Sequence, residues 1–165
     1  MRCYHFGNFY MSSIQQGIQA AHAQMELVLK YKDRDENCKQ KQELFDWASF
    51  HKTMICLNGG MNDDLHDLLA LMIDEGNKFA WAHFNESQEA MGGMLTNIAI
   101  VLPEVIYETA EKLRKRTHYI QRGEDHGGAP GSKAVIENDY DTLEVILSEW
   151  EYFFINHLNK CGMAR

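Results

Sequence analysis

SSIQQGIQAAHAQMELVLKY, residues 12–31, opens on two serines, each followed three positions later by a glutamine, Gln15 and Gln16. That is the spacing of a capping box, in which the serine side chain takes up an orphan amide of the first helical turn and the glutamine answers it. A helix therefore begins here. Ile14, Ile18, Ala21, Met25, Val28 and Leu29 recur at helical spacing, and the stripe they make is predicted to face a sheet. Gln15, Gln19 and His22, spaced by four and then three, stack on a second face beside Gly17, Ala20, Ala21 and Ala23. Two amides and an imidazole flanked by small residues read either as a polar helix surface suited to tight packing or as a place where a ligand comes close.

Working outward, the aromatic-rich run at 2–9 (RCYHFGNF) suits a buried first strand that turns through Tyr10 and Met11 into this helix. After Tyr31 comes a strongly charged stretch, a solvated connection leading to a second helical piece that ends near Trp47 and Phe50. Residues 52–57 (KTMICL) read as a second strand, stopped by Asn58, Gly59 and Gly60. Asn62 is a plausible N-cap for a helix with Leu65, Leu68, Leu69, Met72 and Ile73 on one face, and Gly76 stands where its C-terminal cap belongs.

The run 78–84 (KFAWAHF) is a third strand, and 95–102 (LTNIAIVL), apolar on nearly both faces, is a fourth that sits centrally in the sheet. The loop between them, residues 85–94, is too short for a helical crossover, which makes these strands antiparallel or neighbours around an ordered loop. Pro103 opens a third helix reaching about Lys115. Residues 123–133 read as an exposed loop, and Asp139 or Asp141 caps a last helix carrying Leu143, Ile146, Trp150, Phe153, Phe154, His157 and Leu158. Its wide aromatic stripe serves either as an arm packed on the domain or as a subunit interface, and so as a contact for a homodimer or a protein partner. The order of elements predicts an α/β fold: three layers, α/β/α, around a mixed four-stranded sheet, with a long C-terminal helix added.

Composition narrows the function. A chain of 165 residues with 45% hydrophobic content can bury a real core as one domain, and its net charge of −8 argues against unspecific binding to nucleic acid or anionic membrane. The four cysteines, Cys3, Cys38, Cys56 and Cys161, lie far apart without a CxxC pair, which fits reduced thiols in a cytoplasm. No apolar run approaches the length of a membrane span. The eight histidines show no ligand spacing with carboxylates, the glycine pairs build no phosphate-cradling loop, and no serine elbow is present. No metal and no cofactor are expected. The short, acidic, Met-rich make-up suits a virus-encoded or accessory protein.

The segment GIQAAHA at 17–23, following an apolar strand, resembles the first-helix signature of the archaeal and eukaryotic type of peptidyl-tRNA hydrolase, with Gln19, His22 and Ala23 matching it. Residues 79–103 (FAWAHFNESQEAMGGMLTNIAIVLP) are similar to that family's strand, acidic loop and strand ending in proline, and Glu86 precedes Thr96 by the family's ten positions. The resemblance covers residues 1–118, with 119–165 as an exposed loop and helical extension of the same domain. It implies hydrolysis of the ester joining a peptide to the 3′ ribose of tRNA, with Glu86, Thr96, His22 and Gln19 as catalytic candidates. Gln15, Asn58, Arg114 and Arg116 are the candidate ligand contacts, and tRNA or a nucleotide-like small molecule is the implied partner.

The chain also departs from the family. Ser12, Ser13, Gln15 and Gln16 occupy the places where its first helix opens with lysines, Glu86 replaces an aspartate, and Ser87, Gln88 and Glu89 stand where an arginine follows. Ester hydrolysis needs an oriented water and a group to stabilise the oxyanion, and the missing cation weakens the second requirement. Two readings follow. The first is a diverged binding or regulatory protein that uses the cleft between the first helix and the Glu86 loop. The second is an active hydrolase of peptidyl- or aminoacyl-tRNA.

Overall fold

The computed structural model describes residues 1–124 and 147–164. Its first strand, β1 (Arg2–Gly7), is buried at every position after Arg2, the pattern of a strand covered by helices on both sides. β1 pairs in parallel with β2 (Met54–Asn58) and antiparallel with β4 (Leu95–Leu102), which in turn pairs antiparallel with β3 (Trp81–Asn85). The sheet is mixed and four-stranded, in the order β2-β1-β4-β3. All eight positions of the central strand β4 are buried.

Period-two alternation sends side chains to two cores. Cys3, Ala99 and Val101 pack with Ala23 and Leu27 of α1 (Ser13–Tyr31) and Leu44 of α2 (Lys39–Asp46). Tyr4, Phe6, Ile98, Ile100 and Leu102 pack on the opposite side against α3 (Asn62–Ile73), α5 (Glu104–Glu124) and α6 (Glu149–Lys160). The fold is a three-layer α/β/α arrangement with a C-terminal helix. A short α4 (Gln88–Met91) lies in the connection from β3 to β4.

The capping box at Ser12 is formed as the sequence predicts: Gln15 N donates to the Ser12 hydroxyl at 3.4 Å, and Ser12 N donates to Gln15 Oε1 at 3.0 Å. The orientation of α1 is the reverse of the expected one. Ile14, Ile18, Met25 and Leu29 point to solvent, while Gln16, Gln19, Ala20, Ala23, Leu27 and Tyr31 are buried on the sheet. The physical reason lies in the strands beneath. They present Gly7, Ala82 and Ala99, which admit a helix only at close range, and buried polar side chains, Thr96 and Asn97. The small and amide-bearing face of α1 meets both conditions and the face of large aliphatics meets neither. Gly7 marks the closest approach, since a Cβ there would lie 2.7 Å from Gln16 Oε1.

Several boundaries move. α3 ends at Ile73 with Asp74 as its C-cap, not at Gly76, and Ile73 is exposed. Gly76 is instead held in a turn by its N–H to Asp74 Oδ1 at 2.7 Å and lies against Trp150. The N-cap of α3 is Met61, one residue before the expected Asn62, with Asp64 Oδ2 accepting from Met61 N at 2.8 Å. α5 runs past Lys115 to Glu124. α6 starts at Glu149 on a Ser148 capping box, so Leu147 and Ser148 are not helical. Of the expected loop at 123–133, residues 123 and 124 belong instead to α5, and the rest lies outside the described residues, as do the caps at Asp139 or Asp141.

The aromatic stripe of the last helix turns inward except at Phe153, which is exposed. Trp150, Phe154, Ile155 and Leu158 are buried with Phe6 and Phe79, and Trp150 Nε1 donates to the Leu71 carbonyl at 2.7 Å, serving a carbonyl in the last turn of α3. Beyond α6 the chain lies along β2: Asn58 N donates to Gly162 O at 2.8 Å and Ala164 N to Cys56 O at 3.1 Å. That contact covers part of a strand edge that would otherwise stand open.

Candidate functional site

The bulge at the end of β3 brings the site together. Strict alternation would put Thr96 on the face of Ile98 and Ile100, but the register shifts between Phe84 and Asn85, so Phe84 pairs with Asn97 and Asn85 with Leu95. Thr96 is the extra residue of a bulge. It turns to the α1 side, where its hydroxyl lies 2.9 Å from Gln19 Oε1 and 3.2 Å from the Phe84 carbonyl. With its oxygen on Thr96, the Gln19 amide directs its NH2 at Glu86 Oε1, 2.7 Å away. Thr96, Gln19 and Glu86 thus form a relay from a fully buried hydroxyl to a half-buried carboxylate.

Glu86 is held from behind as well. Its N–H donates to Met94 O at 2.9 Å and its Oε2 accepts from Ser87 N at 3.3 Å. The loop that follows is ordered by Ser87, whose hydroxyl accepts from Ala90 N at 3.1 Å, and by Gly92 and Gly93 at φ 62° and 74°. Left-handed backbone at two successive residues is a glycine conformation, and it returns the chain into β4. Asn85 Nδ2 closes the turn on Gly93 O at 2.9 Å.

His22 is exposed and stacks on Phe84, with centroids 4.5 Å apart and planes 14° from parallel. Phe84 thereby joins the imidazole to the relay, because its carbonyl is one of the acceptors of Thr96. Sequence reasoning had not singled out this phenylalanine. Its only signal was its place two residues before the loop acid in an alternating strand.

Beneath the relay runs a second polar set. His5, which is fully buried, has Nδ1 3.3 Å from Asn97 Oδ1 and Nε2 3.4 Å from Cys3 Sγ. Burial lowers the His5 pKa from 6.5 to about 4, against the opposing hydrogen bond from its Nδ1 to Asn97 Oδ1, so the ring is neutral at pH 7. The Cys3 thiol is pushed well above its usual range by burial and by Cys56. This is an inert thiol, unlike a nucleophile, which needs a lowered pKa. Gln16 donates to Met11 O at 3.3 Å, while its buried Oε1 has no hydrogen-bond partner.

The other candidates lie elsewhere. Gln15 Oε1 accepts from both the N–H and the hydroxyl of Ser12, each at 3.0 Å, so it is engaged in the helix cap. Asn58 Oδ1 accepts from Gly60 N at 2.9 Å, and the residue borders a separate cavity of about 410 Å³ with Asp64, Asp67 and His157. Arg114 is exposed on α5, in the layer across the sheet from α1, and so does not face Glu86. The Arg116 side chain lies outside the described residues. Among the described residues, no group of three or more His, Cys, Asp or Glu could hold a metal ion, and no helix is long and apolar enough to cross a membrane.

The arrangement can accept hydrogen bonds at a fixed carboxylate and offer a flat aromatic surface beside it. No family model matches this chain, and no curated protein does.

Proposed function

We propose that the chain is a diverged relative of the archaeal and eukaryotic type of peptidyl-tRNA hydrolase that works as a binding or regulatory protein. Its ligand is nucleotide-like and enters the cleft between α1 and the Glu86 loop. The observation that carries this reading is the Thr96–Gln19–Glu86 relay beside the His22–Phe84 stack. A planar base can lie on the imidazole and donate an N–H to the carboxylate, and stacking on an aromatic ring contributes about 1–3 kcal/mol per base.

Two features support binding over hydrolysis. The Glu86 carboxylate already has a partner on each oxygen, Gln19 Nε2 and Ser87 N, the setting of an anchored acceptor. The basic residues Lys112 and Arg114 belong to the helix packed on the far side of the sheet, so they supply no charge to an oxyanion at Glu86. The alternative of an active esterase rests on Glu86, Thr96, Gln19 and His22, whose spacing resembles the hydrolase motif although Glu86 stands where that family has an aspartate.

A turnover assay with N-blocked aminoacyl-tRNA separates the two readings. Binding without release of the amino acid is the expected outcome. Release above background that Glu86→Gln abolishes would overturn the binding reading in favour of the esterase.

A further inference from the structure

We propose that the outward apolar face of α1 is where two copies of this chain pair, helix against helix and antiparallel, about a two-fold axis at Ala21. The proposal stands on α1 alone and does not depend on what the cleft binds. Ile14 is 77% exposed, Ile18 49%, Met25 59% and Leu29 51%. Scattered single apolar residues on a surface need no explanation, but these form one continuous line. Exposed Ala21 and half-buried Val28 complete it, so that Ile14, Ile18, Ala21, Met25 and Val28 step by four, three, four and three, with Leu29 beside its end. A repeat averaging 3.5 residues is the seam of helix-on-helix packing, which points to another helix as the occupant.

Charge and shape select an antiparallel copy of the same helix. From Ser13 to Met25, α1 carries no Asp, Glu, Lys or Arg, and its charged residues, Glu26 and Lys30, come later. A parallel pair would set Glu26 beside Glu26 and Lys30 beside Lys30. An antiparallel pair sets each charged end beside the partner's uncharged half and opposes the two helix dipoles. With the axis at Ala21, Met25 falls opposite Gly17 and Ile14 opposite Val28. A Cβ added at Gly17 meets nothing within 4 Å, so there is open space on that flank for the methionine of the other copy. Ala21 facing itself lets the two axes come close.

The size suits a weak, specific contact. Fifteen residues of seam span roughly 22 Å at the α-helical rise. Exposed Tyr10 and Met61 extend the apolar surface past the helix start, with the Tyr10 hydroxyl 3.8 Å from Met61 Sδ. A helix pair of this length buries on the order of 1,000 Å², the low end for specific association, and corresponds to a Kd of roughly micromolar order. His22 directly follows Ala21 in the helix, so pairing brings the second copy to the mouth of each cleft.

Sedimentation equilibrium from about 1 to 500 μM, a range that brackets such a Kd, tests the proposal on the full chain. A mass rising from one chain to two is expected, and Ile18→Glu combined with Met25→Glu should weaken the dimer by at least about a hundredfold. Both sites are exposed, so circular dichroism and the melting temperature should stay unchanged and report that the variant is folded. Cross-linking fixes the geometry. With Cys38, Cys56 and Cys161 changed to Ser, a mixture of Gly17→Cys and Met25→Cys chains should form a mixed disulfide, while Met25→Cys alone should not. A chain that stays monomeric throughout, a dimer indifferent to the glutamates, or Met25→Cys joining to itself would each overturn the proposal.

Discussion

Thr96 shows how much one residue can decide. Its hydroxyl fixes the Gln19 amide, and the amide aims at Glu86, so Thr96→Val leaves Gln19 Oε1 without its buried donor. Such a loss costs about 1–3 kcal/mol. We predict a destabilisation of that size by urea unfolding, together with a weaker cleft, whereas Glu86→Gln should weaken ligand binding with little change in stability because Glu86 is only half-buried. His5 sets a pH dependence. Its folded pKa is lowered to about 4 from 6.5, so the unfolded chain takes up the proton first as pH falls. Stability is fully present above pH 6.5, drops as pH falls through that window, and levels off below about 4, a loss of roughly 3 kcal/mol from this group. His157, lowered chiefly by burial, pulls in the same direction. Unfolding free energies across this window in wild type and His5→Gln check the sign: the variant should show the shallower slope.

At the scale of the element, the start of α1 and the runs that become strands were legible because each is signalled locally, whereas both ends of α3, the end of α5 and the start of α6 moved. Ser12 with Gln15 marks the start of α1, and the strand 95–102 is found with the predicted bounds because its neighbours, two glycines and a proline, punctuate it. What local signals did not carry was which face of α1 turns inward. The helix has a face of large aliphatics and a face of small residues and amides, and periodicity favours the first. The choice is made by Gly7 just before the helix together with Ala82 and Ala99 far along the chain, which become its neighbours only once the sheet is assembled. The bulge at Thr96 was hidden for the same reason, since it is a property of two strands together. Ser12→Ala should cost about 1 kcal/mol through the lost cap, while Ile18→Ala, exposed on α1, should cost much less than Leu27→Ala, which lies in the core and is worth about 2–5 kcal/mol. Thermal melts of the three variants give the order.

For the whole molecule, the sheet divides the interior into two cores. Leu27 belongs to the core under α1 and Ile155 to the core under α6, with the strands between them. Changes that share no partners add, so Leu27→Ala and Ile155→Val together should destabilise by the sum of the single effects to within about 0.5 kcal/mol. A large deviation would mean that the layers are coupled through the strands. This division also separates the proposed cleft from the basic residues of α5. The central claim is that the Thr96–Gln19–Glu86 relay and the His22–Phe84 stack form one ligand cleft. Titrating nitrogen-15-labelled protein with adenosine while following its amide NMR signals tests this directly. The account predicts shifts concentrated at the Gln19 side-chain amide and at His22, Glu86, Ser87 and Thr96, weakened in Glu86→Gln; no shifts there, or shifts gathered instead around Asn58 and His157, would contradict it.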